Sequence, residues 1–480
     1  MNKDAITQMF SPDQFRETGY QLIELLAEHL EQQLSGRGNV LNWHEPVTED
    51  KHWQQPIPQQ ANLDISGLLD KLKTEILPAS LAIHHPHNLG HQVATPLPIA
   101  ALCDLVAALT NQAMAVYETG PSATMLERQV LRWLCELIGW DTSEGVLTSG
   151  GAQANLTALL AARQHSADWN VWQEGLSAHS QLCILASEHA HYSIARAAGI
   201  MGLGSNAVIK IAADQNGRML LDALNAAHSQ CLLENKKIIA VVASAGCTPT
   251  GSIDPLREIG EFCVANHLWL HVDGAHGAST LMSQQHKHKL DGIELADSVV
   301  WDGHKLLYMP ATVSAVLFRN AKASYAAFNQ DASYLFNSGK METEAFNVSY
   351  RTIECTKRMM ALKLWAAFSL YGLEGMASLV DEGFAKAQLF AEKLAAQPDF
   401  ELLMQPQTNI VCFRFTGGVE TTEKFNQAKI RNNIVQSGEF HLTQVELHSE
   451  LWLRTTLMNP FTSGSDLDEL IESVRKHSGH

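Results

Sequence analysis

Over residues 97–370 the chain alternates between short apolar runs and longer stretches with helical periodicity. The apolar runs are rich in β-branched residues and include 237–243, 269–272 and 314–318. This alternation is typical of parallel strands joined by crossover helices. We therefore predict an α/β domain of three layers, in which a mostly parallel central sheet is flanked by helices.

The two ends of the chain have different patterns. Residues 1–96 are polar and helix-like, with an apolar stripe near the start that predicts a helical segment packed on another subunit or domain. The stripe consists of Phe15, Tyr20, Leu22, Ile23, Leu25 and Leu26. In residues 371–480 a long helical stretch precedes two strand-like runs, 410–415 and 451–457, and a closing helix. This order predicts a smaller C-terminal α+β domain.

Composition places the chain among large globular proteins. It has 480 residues, of which 46% are hydrophobic and 18% charged. The formal charge of −17 would repel phosphate backbones and anionic membranes, so neither nucleic acid nor a membrane is expected as a partner. The N-terminus lacks the pattern of a secretory signal, and no run reaches the roughly 18 apolar residues of a membrane span. We expect a cytoplasmic protein.

The eight cysteines are widely scattered, and no two have the spacing of a zinc knuckle. Reduced, mostly buried thiols are therefore expected. Four histidines, His84, His85, His87 and His91, lie close together in sequence. Histidine is a common metal ligand, but no carboxylate or cysteine completes a site locally. We predict no metal.

A lysine follows one strand-like run. Lys305 comes after the run 298–302 and is followed by the apolar residues 306–309. Apolar surroundings disfavour the charged form of an amine, and a neutral amine can form a Schiff base with a carbonyl compound. The alternative is a solvated surface lysine.

A carboxylate ends another strand-like run, since Asp273 follows 269–272. Ligands of open α/β sheets bind at the carboxyl ends of the strands. A buried aspartate is costly unless it meets a cation, and the pyridinium nitrogen of pyridoxal phosphate is such a cation. An aspartate that only caps the next helix is the alternative interpretation.

A glycine turn joins a third strand-like run, 146–148, to a helical stretch. Gly150 and Gly151 form the turn, and the helix continues to about Arg163. Glycine lets the backbone approach an anion, and free N–H groups at a helix start can hold a phosphate. The turn lacks both the Gly-Lys-Ser/Thr of a P-loop and the dinucleotide fingerprint. A turn without a ligand remains possible from these residues alone.

In this order, the three features resemble the group II pyridoxal-phosphate-dependent amino acid decarboxylases, which include glutamate, aromatic amino acid, cysteine sulfinate and 2,4-diaminobutyrate decarboxylases. The resemblance extends from about His84 to Asn459. It implies a fold-type I enzyme with pyridoxal 5'-phosphate as cofactor, and a homodimer with its active site at the subunit interface. It also implies that an L-amino acid is converted to the amine and CO2.

The resemblance also implies roles for individual residues around the cofactor. Lys305 would carry it, Asp273 would pair with its ring nitrogen, and His191 and Ala275 would pack on its two ring faces. The family positions for phosphate contact and for the 3-hydroxyl group are His304, Gly151, Ala152, Gln153 and Thr248. Ala152 stands where many members have serine, and Asp302-Gly303 replaces the common Asn-Pro.

Substrate-side roles follow from the same resemblance. Arg454 would grip the α-carboxylate, and Tyr334, in a mobile loop, would return a proton to Cα. His91 and Gln92 stand where relatives specific for aromatic substrates carry tyrosine and phenylalanine. A small polar or charged side chain is therefore favoured, although histidine does not choose its sign.

Two alternatives use the same scaffold. The cofactor's chemistry depends on which bond is held perpendicular to its ring, so an aminotransferase or a carbon–carbon lyase is the nearest rival. Tyr334 argues against it. The second alternative is a binding protein without catalytic activity, which would not need Lys305, Asp273 and His191 together.

Overall fold

The structure is a computed structural model that describes residues 3–141, 144–176, 181–328, 346–418 and 425–479. The chain divides into two compact units that interleave in sequence. The larger unit comprises Gln92–Ala391 and Leu402–Cys412, and the smaller comprises Met1–His91, Glu392–Glu401 and Phe413–His480. The three consecutive segments expected from the sequence, 1–96, 97–370 and 371–480, stay a prediction.

The N-terminal part of the chain is helical. Its helices are α1 Lys3–Met9, α2 Pro12–Leu34, α3 Pro46–Trp53, α4 Ile65–Lys71 and α5 Leu77–Ala79, with a π-helical turn at Leu72–Ile76. Ser11 caps α2 by accepting from the Gln14 N–H, and Pro12 occupies its first turn. The predicted apolar stripe lies on α2, where Phe15, Tyr20, Ile23 and Leu26 are exposed.

A seven-stranded sheet forms the centre of the larger unit. Its strands are β1 Glu144–Thr148, β2 Leu182–Ser187, β3 Val208–Ile211, β4 Lys237–Ser244, β5 Leu270–Asp273, β6 Ser298–Asp302 and β7 Ser314–Phe318. They lie in the order β1-β7-β6-β5-β4-β2-β3. Every residue of β2, β5, β6 and β7 is buried, as expected for apolar strands covered on both faces.

The predicted mostly parallel sheet is confirmed, with one correction. Strands β6, β5, β4, β2 and β3 are parallel neighbours, whereas β7 runs antiparallel to both β6 and β1. The run 314–318 was grouped with the parallel strands from its composition alone. Its direction follows from the connection, since 303–313 is too short for a crossover helix.

Helices occupy the segments between the strands. They are α6 Pro98–Thr110, α7 Pro121–Ile138, α8 Gly151–Ser166, α9 Val171–Glu174, α10 Ser193–Ile200, α11 Leu221–Leu233, α12 Leu256–Ala265, α13 Ala321–Ala326 and α14 Ala361–Ala395. Short 3-10 turns lie at Tyr117–Thr119, Ser205–Ala207, Gly277–Met282, Lys287–Leu290, Ile293–Leu295 and Val348–Arg351. α14 is interrupted at Gly372, whose φ of 66° is left-handed. No helix within the described ranges has the length and apolar character to span a bilayer.

The C-terminal elements carry a second sheet. Its strands, β8 Phe400–Leu402, β9 Ile410–Phe415, β10 Thr443–Leu447 and β11 Glu450–Thr456, lie in the order β10-β11-β9-β8. The remaining helices are α15 Gln427–Ser437 and α16 Gly464–Ser478. A capping box formed by Ser463 and Asp466 starts α16. The predicted smaller α+β region therefore has the expected elements.

Candidate active site

Lys305 lies three residues beyond the end of β6, at the carboxyl edge of the large sheet. Its Nζ is 3.0 Å from Oδ2 of Asp302, the last residue of β6. The apolar residues 306–309 are fully buried, as the sequence predicted. The amine itself faces the carboxylate of Asp302, whereas the apolar residues follow it in the chain.

Asp273 ends β5, next to β6 in the sheet, and is only 8% exposed. Its Oδ2 accepts a hydrogen bond from Asn155 Nδ2 at 3.0 Å, and its Oδ1 accepts one from the Ala275 N–H at 3.3 Å. Two hydrogen bonds fix the carboxylate in a buried position, as a buried charge requires. The group is thus held ready for a cation in the same cavity.

A buried hydrogen-bond network around Asn155 links several site residues, and the sequence analysis missed it. Asn155 lies on α8, and its amide donates to Asp273 and to Ser193 Oγ at 2.9 Å. Because the amide oxygen accepts only, His271 Nε2 must donate to it across 2.9 Å. Burial lowers the pKa of His271 to about 4, so this histidine is neutral at neutral pH. One signal was available: an asparagine between Ala154 and Leu156, in a helix with apolar neighbours.

His191 belongs to the same network. Its Nδ1 accepts from the Ser193 N–H at 3.3 Å and lies 2.8 Å from Ser193 Oγ. Burial, the largest influence, lowers the pKa of His191, and the charge of Lys305 lowers it further. The ring is therefore neutral at neutral pH. A neutral aromatic ring is suited to packing on the face of another ring.

The predicted glycine turn connects β1 to α8. Gly150 has φ 150° and ψ 159°, a conformation that side chains other than glycine rarely adopt. At Gly151 a Cβ would lie 2.9 Å from both carboxylate oxygens of Asp302, so only glycine fits there. The first N–H groups of an α-helix have no partner within the helix, and α8 therefore presents donors at this turn.

One cavity of about 270 Å³ collects most of the predicted cofactor residues. It is lined by Lys305, Asp273, Ala275, His191, His304, Thr248, Gly151 and Ala152, and also by Asp302 and Asn155. Gln153 is not among its lining residues. The Gln153 amide instead donates to Glu354 Oε2 at 3.2 Å. Tyr334 lies outside the described residues.

The residues of this cavity fit pyridoxal phosphate at three of its chemical groups. Asp273 offers a buried carboxylate for a pyridinium nitrogen, and Lys305 offers a primary amine for an aldehyde. The start of α8 offers backbone N–H groups for a phosphate. The donor set of a single cavity thus matches the three functional parts of the cofactor.

The predicted substrate residues Arg454 and His91 belong to the smaller unit, and Gln92 begins the larger one. Arg454 lies on β11, buried at 6% exposure. The His91 ring lies 5.6 Å from that of His441, and α15 contributes Arg431. Burial lowers the pKa of His91, and the charges of Arg454 and Arg431 lower it further. Burial, with His91 and Arg431, likewise lowers the pKa of His441 to about 4.

His87 has carboxylate neighbours that the sequence analysis did not foresee. Its Nε2 lies 3.0 Å from Asp466 Oδ1 and 3.7 Å from Glu469 Oε2, both on α16, and its Nδ1 donates to the Glu439 carbonyl at 2.9 Å. No carboxylate is near His87 in the sequence. Folding brings the carboxylates of the C-terminal helix to this histidine. These contacts link His87 to the first turns of α16.

Comparison with known proteins identifies the family. Residues 48–416 match the model of the pyridoxal-dependent decarboxylase conserved domain. The chain therefore belongs to the pyridoxal-dependent decarboxylase family. Its enzyme class is carboxy-lyase, and its cofactor is pyridoxal phosphate.

Individual relatives match over most of their length. The chain is 33% identical over 445 residues to cysteine sulfinic acid decarboxylase of Rattus norvegicus, covering 88% of this chain and 90% of the relative. It is 29% identical over 433 residues to L-2,4-diaminobutyrate decarboxylase of Acinetobacter baumannii, covering 87% and 84%. The crystal structure of mouse CSAD superimposes with a TM-score of 0.91 at 27% identity, covering 98% of this chain and 99% of that one.

Proposed function

We propose that this enzyme removes the α-carboxyl group of a small polar or charged L-amino acid, releasing CO2 and the corresponding amine. The observation that carries the proposal is the single cavity in which Lys305, Asp273 and the start of α8 meet. Relatives named for cysteine sulfinate and for 2,4-diaminobutyrate support a small polar or charged side chain.

Each residue of the cavity has a proposed task. Lys305 provides the amine that holds the cofactor, and Asp273 pairs with its ring nitrogen. When bound, pyridoxal phosphate supplies an electron sink for the pair of electrons left when the bond to CO2 breaks. The remaining contacts are those of His191 and Ala275 with the ring, of Thr248 with the 3-hydroxyl group, and of Gly151, Ala152 and His304 with the phosphate.

The network around Asn155 fixes the orientation of its side-chain amide. His271 donates to the Asn155 oxygen, which turns the amide N–H groups toward Asp273 and Ser193. Asp273 thus accepts hydrogen bonds from the Asn155 amide and from the Ala275 N–H, and both donors are neutral. A charged Asp273 is the form that can stabilise a protonated ring nitrogen.

The substrate side chain that we propose is anionic. In the smaller unit, Arg431 and Arg454 both lower the pKa of His91, so positive charge is concentrated around this histidine. Burial also lowers the pKa of Arg431. Such a cationic cluster favours a carboxylate or sulfinate and disfavours an ammonium group. Aspartate, glutamate and cysteine sulfinate therefore fit better than 2,4-diaminobutyrate, with Arg454 taking the α-carboxylate and His91 and Gln92 near the side chain.

Two further parts of the proposal concern proton return and assembly. Tyr334 would donate the proton to Cα after CO2 leaves. Exposed apolar side chains on α2, among them Phe15 and Tyr20, support a homodimer in which α2 is covered by the partner. A cytoplasmic location stays a prediction from the sequence.

The test is an incubation of the purified enzyme, with pyridoxal phosphate added, against a panel of acidic, neutral and diamino L-amino acids. Products are identified by mass. We expect the amine of an acidic amino acid, formed by loss of CO2. Keto acids without amine products would show that the enzyme is an aminotransferase and not a decarboxylase. Turnover of 2,4-diaminobutyrate alone would overturn the proposal that the substrate side chain is anionic.

A further inference from the structure

A second buried carboxylate in the cofactor cavity has no part in the proposed reaction. Asp302 is 2% exposed and lines the same cavity as Asp273. In the proposed function, Asp273 pairs with the ring nitrogen of pyridoxal phosphate. Burying a carboxylate is costly unless it is paired or hydrogen-bonded. The contacts of Asp302 must therefore offset this cost.

Three side chains hold Asp302 in place. Its Oδ2 lies 3.0 Å from Lys305 Nζ and 3.6 Å from His304 Nε2. Its Oδ1 accepts from the hydroxyl of Ser314, the residue opposite it in the β6–β7 pair. Both carboxylate oxygens therefore have partners, and one of these partners is the Lys305 amine.

The same carboxylate abuts the start of α8. Both of its oxygens lie 2.9 Å from the position that a Cβ on Gly151 would take. The start of a helix attracts anions through its free N–H groups and its dipole. Asp302 is thus an anion at the very turn to which the proposed function assigns the phosphate of the cofactor.

We propose that Asp302 is a positioning residue that opposes the cofactor's phosphate. It holds the Lys305 amine before the cofactor arrives, and then repels the phosphate at the start of α8 because the two groups carry like charges. Cofactor affinity is therefore lower than the cavity would otherwise allow, and the cofactor exchanges readily. This inference rests on the proposed function, because it takes the phosphate site from it.

The test compares two ligands that differ only in the phosphate. Asp302→Asn keeps the size of the side chain and removes its charge. Dissociation constants of pyridoxal phosphate and of pyridoxal are measured by quenching of tryptophan fluorescence. Losing the ion pair with Lys305 affects both ligands, so the ratio of the two constants isolates the phosphate. We expect the variant to raise the preference for pyridoxal phosphate over pyridoxal by roughly tenfold or more, equivalent to about 1.4 kcal/mol.

A surface variant controls for the change in net charge. Asp291→Asn removes one negative charge from a mostly exposed ion pair with Arg257, and it should leave the ratio unchanged. Inorganic phosphate gives an independent reading, since in a direct titration without cofactor it should bind Asp302→Asn more tightly than the unmodified enzyme.

The possible results separate this inference from the proposed function. An unchanged ratio, or a lower preference for pyridoxal phosphate in Asp302→Asn, would overturn the role of Asp302 while leaving the decarboxylase intact. If the unmodified enzyme bound neither ligand, the cofactor cavity itself would be wrong and both proposals would fall.

Discussion

Asn155 Nδ2 lies 3.0 Å from Asp273 Oδ2, although the two residues are 118 positions apart in the chain. The first is on α8, directly after the glycine turn, and the second ends β5. One side chain thus ties the helix that is proposed to hold the phosphate to the carboxylate that is proposed to face the ring nitrogen.

Replacing Asn155 tests this link. Asn155→Ala removes one buried hydrogen-bond partner from each of Asp273, Ser193 and His271, and leaving a buried polar group unsatisfied costs about 1–3 kcal/mol. We expect kcat to fall roughly tenfold and cofactor affinity to weaken. Steady-state kinetics and cofactor titration measure both. Asn225→Ala is the matched control, because the exposed Asn225 amide donates to the carbonyl of Leu221 in its own helix. Normal kcat and affinity in Asn155→Ala would remove Asn155 from the site.

Residues at the ends of strands can be predicted from the sequence more readily than contacts that form only on folding. Lys305, Asp273 and the glycine turn each follow a recognisable strand, and the carboxyl ends of neighbouring strands meet at one edge of a sheet. Asn155 and Asp302 act through contacts that only the fold creates. The direction of β7 was wrong for a related reason, since it depends on the length of a connection and not on the composition of the strand.

His271 makes stability depend on pH. Its pKa lies at about 4 in the fold against 6.5 in a free side chain, because it is fully buried. Between these values the unfolded chain binds a proton that the folded chain does not, so the free energy of unfolding falls as the pH falls from 6.5 to 4. His271 should contribute up to about 3 kcal/mol to this fall.

Urea unfolding at several pH values checks the effect. His271→Gln keeps a donor for Asn155 and should weaken the fall in unfolding free energy, and His441 should account for part of what remains because its pKa is also about 4. His288→Gln, an exposed histidine, should behave like the unmodified protein. An unaltered pH dependence in His271→Gln would show that folding does not lower the pKa of this histidine.

Tyr334 is predicted to return the proton to Cα. Tyr334→Phe removes the acidic hydroxyl, and loss of a positioned proton donor typically slows a step by 10²–10⁴-fold. We expect amine formation to slow by roughly a hundredfold, and a larger share of turnover to end in products other than the amine. Product analysis by mass gives the ratio. The control is Tyr371→Phe, which changes an exposed tyrosine on α14. Amine formation at the normal rate in Tyr334→Phe would refute the role.

Arg454 is predicted to bind the α-carboxylate. Arg454→Lys keeps the charge but loses the planar fork that binds a carboxylate through two hydrogen bonds. A hydrogen bond to a charged group contributes about 1.5–3 kcal/mol, so KM should rise roughly 10- to 100-fold with a smaller change in kcat. Arg414→Lys, on the neighbouring strand β9, is the control. An unchanged KM in Arg454→Lys would place the substrate carboxylate elsewhere.

The most direct test of the account follows the α-carboxyl carbon. The acidic amino acid that the enzyme turns over is labelled at this carbon. The labelled CO2 and the unlabelled amine are then measured for the unmodified enzyme and for Lys305→Ala. We predict one CO2 for each amine, and a rate lower by roughly a thousandfold or more in Lys305→Ala. Label retained in a keto acid, or turnover that does not need Lys305, would contradict the assignment of this cavity to amino acid decarboxylation.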